Sequence, residues 1–256
     1  MADGIKWLTD WDRDVCGVVF ARGISAADLA VCMGGVPGTA TEPITDSEVE
    51  HLGMRGPSYG VAGDGVVRVG TAGEWAFAVE YGDSTGVDRL EEISSASGEA
   101  IHYIPMSARP PARFHYAKDG VLTCGFGISE EHRRWGAEPD LLLSGFVAGQ
   151  VLHPDGSKIF PPDNEPYATS HALTLSLLEQ WFGLSLPRAA LSEGRLPAYA
   201  VRGTPAMTTG REPDYQQIKT WAVNNGYTWE GTAQRVPPEI REAWGHLVRQ
   251  DPEETA

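Results

Sequence analysis

Apolar positions along this chain recur with two different periods, and the change between them divides it into regions. "VCGVVFARG" is a continuous apolar run ending at Gly23, the pattern of a strand, and Ser25 follows as an N-cap for the helical stretch "AADLAVCM". After a loop rich in Gly, Pro and Thr, "TDSEVEHLG" sets Thr45 and Glu48 at capping-box spacing ahead of a glycine stop, which predicts a second short helix. "GVVRVG", "EWAFAVEY", "AIHYIPM", "ARFHYAKDG" and "VLTCGFG" then arrive in succession, several of them alternating and separated by Gly or Asp-Gly turns. They predict a mostly antiparallel sheet.

Helical spacing returns in "PDLLLSGFVAG" and in "YATSHALTLSLLEQWFG", where Ala168, Ala172, Leu175, Leu178 and Phe182 recur three or four apart and Gly183 closes the helix. A last run, "PAYAVRG", is expected at the sheet edge. Strands followed by packed helices indicate an α+β domain over residues 1–203, with a mostly antiparallel central sheet. Residues 204–213 lack an apolar period and read as a linker. The chain restarts over 214–250 as a small two-helix module, followed by an acidic tail at 251–256. In its first helix Asp214 is the N-cap, Tyr215, Ile218 and Ala222 share one side, and Gly226 supplies the left-handed stop. In its second, Pro237 or Pro238 occupies the first turn, and Ile240, Trp244 and Leu247 repeat along the inner face.

Composition narrows the function classes. With 41% hydrophobic residues in 256, the chain can bury a real core, while a formal charge of -15 argues against a broad basic surface for nucleic acid. Cys16, Cys32 and Cys124 are widely spaced, with no Cys-x-x-Cys pair or Cys/His cluster, so neither a disulfide framework nor a zinc site is expected. The acidic N-terminus lacks the apolar core of a signal peptide, and no apolar run approaches the ~18 residues that span a bilayer. A cytoplasmic protein without a membrane partner is the expectation.

Within the C-terminal module, "IKTWAVNNGY" and "RVPPEIREAW" resemble the two helices of the DNA-binding module of Lsr-type nucleoid-associated silencers of actinobacteria. The resemblance implies insertion of an Arg-Gly-Arg loop into the narrow minor groove of A·T-rich DNA, where the negative potential attracts guanidinium groups. Arg235 matches the final arginine of that loop, Ala233 and Gln234 stand where the family has Arg and Gly, and the loop is one residue longer. Lys219 and Arg241 are then the side chains expected on phosphates. From Asp214 to Gln250 the basic residues Lys219, Arg235, Arg241 and Arg249 balance Asp214, Glu230, Glu239 and Glu242, so the module is neutral. The N-terminal region, through "CGVVFARG", "EWAFAVEY", "RWGAEPDLL" and "LSLLEQWFGLSL", resembles a domain of uncharacterised actinobacterial proteins, which implies no activity.

Candidate chemistry in the larger region is sparse. "GVAGDGVVRVG" does not open a helix after a strand and no Walker lysine follows a Gly-rich loop, so it reads as a turn beside a strand. The histidines form no His-x-x-x-His pair. His102 and His115 fall in neighbouring predicted strands, with Tyr103 and Tyr116 alternating to the other face, and either cross-strand packing or a shared site accounts for them. The acidic pairs at 91–92 and 130–131 read as solvated charges. Arg133 and Arg134 form the adjacent basic pair of an acidic chain, with Trp135 after them, a cluster suited either to an acidic partner or to internal packing. Trp229 is likewise an interface candidate or a lid on the module's core.

The expectation is a non-enzymatic cytoplasmic regulatory protein, with no cofactor or metal, whose partner is A·T-rich DNA or a nucleoid protein. The alternative is a protein-binding adaptor or immunity-type protein whose C-terminal helices dock another chain. An enzyme with dispersed active-site residues is a third class.

Overall fold

A computed structural model of the chain describes residues 3–11, 16–49, 65–82, 86–105, 111–160 and 167–201, together with 222, 223, 225–227, 240 and 243. The chain divides into two compact units, Met1–Arg211 and Glu212–Ala256. Lys219, Trp229, Gln234, Arg235, Arg241 and the acidic tail lie outside the described residues.

In the first unit the seven strands are β1 (Gly17–Arg22), β2 (Gly65–Ala72), β3 (Trp75–Tyr81), β4 (Glu99–Ile104), β5 (Arg113–Lys118), β6 (Val121–Gly127) and β7 (Ala198–Val201). They form one sheet in the order β6-β5-β4-β1-β3-β2-β7, and every neighbouring pair is antiparallel. The helices are α1 (Ala26–Cys32), α2 (Asp46–Val49), α3 (Leu90–Ser97), α4 (Leu143–Ala148), α5 (Tyr167–Phe182) and α6 (Arg188–Ser192). The architecture is α+β, and each predicted strand is present.

Local chemistry accounts for the joints. Ser25 Oγ accepts from the Asp28 amide at 3.1 Å and caps α1. Thr45 and Glu48 form a reciprocal capping box on α2: the Thr45 amide donates to Glu48 Oε2 at 2.7 Å, and the Glu48 amide donates to Thr45 Oγ1 at 3.4 Å. Between β5 and β6 the turn residues Asp119 and Gly120 both have positive φ, 49° and 82°, as a two-residue hairpin turn of the mirror-image class requires.

The two faces of the sheet bury different residues. On one, Trp75, Phe77, Tyr103, Phe114 and Phe126 pack against Phe146 of α4 and Leu175, Leu178 and Phe182 of α5. On the other, Val19, Ala21, Ala76, Ala78, Ala100 and Ala117 face Leu29 and Met33 of α1 and Leu90 and Ile93 of α3. All seven residues of β3 are buried, since it lies inside the sheet with both faces covered.

Neither edge is left open. Beyond β6, Gly125 and Trp135 exchange backbone hydrogen bonds at 2.9 and 2.8 Å, and the amides of Ala137 and Glu138 donate to Leu122 and Thr123. Beyond β7, Gly35 bridges Val201, and Thr41 donates to the Ala198 carbonyl at 2.8 Å. Ile44 and Leu196 exchange a further pair of bonds beside it.

Two expectations change. The inner face of α5 is His171, Thr174, Leu175, Leu178 and Phe182, whereas Ala168 is exposed and Ala172 half-buried. Polar His171 and Thr174 find partners inside, which a purely apolar pattern does not register. Of the acidic pair at 130–131, Glu131 is 3% exposed rather than solvated.

Candidate functional site

Three titratable side chains converge on the small-residue face of the sheet. His102 on β4 and His115 on β5 are register partners, and their rings stack with centroids 6.1 Å apart. His102 Nε2 lies 2.7 Å from Glu80 Oε2 on β3, and the Gly86 amide donates to Glu80 Oε1 at 2.6 Å. Trp135 meets the far side of His115 edge-on at 5.7 Å. Glu80, His102 and His115 are each no more than 1% exposed.

Glycine makes room for this row. A Cβ on Gly17 of β1 would meet the Glu80 carboxylate and, at 2.5 Å, His102 Nε2. One on Gly125 would meet Trp135 Nε1 at 2.7 Å. The bare backbone at these positions leaves the volume that the carboxylate, the imidazole and the indole fill. The carboxylate and the imidazole are hydrogen-bonded to each other, so neither is buried without a polar partner. Tyr103 and Tyr116 point to the opposite face, where Tyr103 Oη lies 2.8 Å from His171 Nε2 and the Tyr116 hydroxyl donates to Glu99 at 2.9 Å. Burial pushes the His171 imidazole down to about 4, so it is neutral at physiological pH.

The Arg133-Arg134-Trp135 cluster is not assembled as one exposed surface. Arg134 is buried and grips Asp140 through Nε at 2.8 Å and through Nη2, with Nη1 donating to the carbonyls of Glu131 and Gly156. Trp135 is buried over Gly125, and Arg133 stands half-buried 3.5 Å from Glu130. Glu131 accepts from Thr174 Oγ1 at 2.7 Å and from the Ser129 amide at 2.9 Å, and burial raises its pKa. The internal-packing reading of this segment fits Arg134 and Trp135, whose charge and ring are spent on the fold.

Sequence reasoning missed Glu80, Glu131 and Arg68. Arg68 on β2 is fully buried and donates to Asp46, to Tyr81 Oη and to the carbonyls of Leu191 and Gly194, tying the sheet to α2 and α6. The available signal is a single charge inside a strand flanked by apolar residues on both sides, as in "GVVRVG" and "AFAVEY". Among the described residues no group of three or more His, Cys, Asp or Glu is arranged to hold a metal ion. Among them, too, no helix is long and apolar enough to cross a membrane.

A family profile matches residues 6–199, from the first turn of the domain to its last strand. The chain belongs to the family of unknown function DUF6461. Neither a curated protein nor a solved structure matches it. The DUF6461 domain thus contains the whole seven-stranded sheet except the end of β7, and the C-terminal unit lies outside the match.

Proposed function

We propose that the protein is a non-enzymatic regulatory protein in which the acidic DUF6461 domain is joined to a C-terminal unit that contacts the minor groove of A·T-rich DNA through Arg235. The observation that carries this reading is the helix end at Gly226. Ala222 and Val223 are helical, Gly226 has φ +79°, and the amides of Tyr227 and Gly226 donate to the carbonyls of Ala222 at 2.9 Å and Val223 at 3.1 Å. This pair of bonds is a Schellman stop. It falls within "IKTWAVNNGY", the segment that resembles the first helix and turn of the silencer module. Sealing of Glu80, His102 and His115 in the domain core supports a structural rather than a catalytic use for them.

Fluorescence anisotropy of the full chain on A·T-rich and G·C-rich duplexes at low salt tests the reading. The expected binding is weak and A·T-preferring, with a salt slope corresponding to about two to four phosphate contacts. Arg235→Ala abolishes the preference, and Ala233→Arg combined with Gln234→Gly strengthens binding. If Arg235→Ala leaves the preference unchanged, or the full chain shows none, the nucleic-acid reading fails. The adaptor reading, with Trp229 and the Pro237 turn as contact face, then replaces it.

A further inference from the structure

The inner face of α5 changes character at its middle. Over the second half Leu175, Leu178 and Phe182 are buried in the aromatic core, with Phe182 against Phe114 and Tyr116. That end is pinned by polar groups as well: the Phe182 carbonyl accepts from Arg22 Nη2 at 3.0 Å and from Trp75 Nε1 at 3.2 Å, and Glu179 accepts from the Ile5 amide at 2.9 Å. The first half turns Ser170, His171 and Thr174 toward the domain instead, and each is hydrogen-bonded to a different neighbour. Ser170 Oγ lies 3.0 Å from Ser129 Oγ, His171 Nε2 lies 2.8 Å from Tyr103 Oη, and Thr174 Oγ1 donates to Glu131 Oε1 at 2.7 Å.

The two halves differ in what water can replace. Water takes over each of the three hydrogen bonds once the groups separate, whereas nothing in water makes up for the burial of Leu175, Leu178 and Phe182. Closing the first half also carries costs that opening returns. Burial pushes the Glu131 carboxyl up and the His171 imidazole down to about 4, and both groups regain their hydration when the seam parts. Local sequence leans the same way: "YATSHALT" contains the weak helix formers Thr169, Ser170, His171 and Thr174, while "LSLLEQWF" is built mainly from strong ones.

Ser129 shows that the seam is specified side chain by side chain. It sits at φ +68° in a turn closed by the Glu130 amide on the Gly127 carbonyl at 2.9 Å, a conformation that glycine adopts freely and serine does not. What serine adds there is the hydroxyl that meets Ser170. Its carbonyl accepts from Lys158 Nζ at 2.9 Å and its amide donates to Glu131, so Ser129 is held on the domain side of the seam.

We propose that residues 167–174, the first half of α5, form a lid that detaches as a unit from Tyr103, Ser129 and Glu131 while the sheet and the second half of α5 stay folded. α5 contains no Gly or Pro on which a rigid helix could pivot, so the lid opens by unwinding. Opening bares a phenol, a hydroxyl and a carboxyl beside the Lys158 ammonium. The proposal is independent of DNA binding, and its test contains no nucleic acid.

Amide hydrogen exchange of the full chain at neutral pH provides that test. The amides of residues 171–174, whose helical acceptors lie in the first turn, are expected to open about a hundredfold more often than those of residues 178–182, through an opening that low denaturant leaves unchanged. Ser129→Cys combined with Ser170→Cys puts two thiols where the hydroxyls meet, and a disulfide between them shuts the lid. Oxidation then slows exchange at 171–174 by about tenfold or more, and reduction restores it. Should the double variant fail to fold or to oxidise, Thr174→Val, which deletes the bond to Glu131, speeds exchange at 171–174 by about tenfold and leaves the β3 amides of Phe77 and Ala78 unchanged. Exchange at 171–174 as slow as at 178–182 overturns the proposal. So does a disulfide that forms without slowing it, or a Thr174→Val protein whose exchange is unchanged at 171–174 or rises equally in β3.

Discussion

The two faces of the sheet solve the same packing problem with different residues. On the α5 side, aromatic rings fill the gap: Phe114 stacks on Phe126 at 5.1 Å and reaches Phe182 at 5.8 Å, and Phe126 meets Phe146 edge-on at 5.2 Å. On the α1–α3 side, Ala21, Ala76, Ala78, Ala100 and Ala117 present little more than backbone to two short helices. Large rings hold most of the apolar area in a few side chains, so the first face concentrates its stabilisation. Small residues spread it thinly. That thin face is also where Glu80, His102 and His115 sit, because a polar side chain fits over a sheet most readily where its neighbours on the strands are small.

The comparison is broken most severely by Phe114→Ala, which removes the centre of the aromatic face. A loss of about 3–5 kcal/mol is expected in urea unfolding, as for a fully buried aromatic truncated to alanine. A loss below 1 kcal/mol would show that the rings do not concentrate the stability. The other face is probed by Gly17→Ala, a single methyl at a position whose φ lies outside the left-handed range. The methyl must displace the Glu80 carboxylate from His102, and a destabilisation of about 1–3 kcal/mol is expected from overpacking. A neutral result would mean that the pair has room to move aside.

A pH dependence is expected from His171 on the aromatic face. His171, depressed to about 4 by burial, has an ordinary value of about 6.5 in the unfolded chain. Between those values the unfolded chain binds more protons, so stability is full above about pH 6.5 and is lost as the pH falls toward 4. Melting temperatures measured from pH 7.5 to 5 should drop more steeply for the wild type than for His171→Gln. Equal slopes would remove His171 as the cause.

How much of this was legible in the sequence differs from element to element. The Thr45–Glu48 box, the Asp119-Gly120 turn and the pairing of His102 with His115 follow from local spacing, and the structure has each of them. The third member of the polar row did not, because the alternation of "EWAFAVEY" does not say that both faces of this strand are covered. Only the placement of β3 between β1 and β2, a nonlocal fact, turns Glu80 inward. The helix α3 was passed over for a related reason: Leu90 and Ile93 are its buried apolar residues, and the serines around them give no helical period. Composition left the basic pair at 133–134 open to an acidic partner or to internal packing, and Asp140, six residues on, pairs with Arg134 inside the fold.

The covered edges of the sheet restrict how this domain can be recognised. Many proteins take up a peptide by letting it hydrogen-bond along a bare strand, which requires a row of unsatisfied amides and carbonyls. Here the segment from Trp135 to Glu138 occupies that row on β6, and the stretch from Gly35 to Ile44 occupies it alongside β7. A peptide adding as an eighth strand must first strip away one of these segments and break its backbone bonds. The same covering blocks edge-to-edge growth into a continuous sheet, the route by which β-rich chains polymerise.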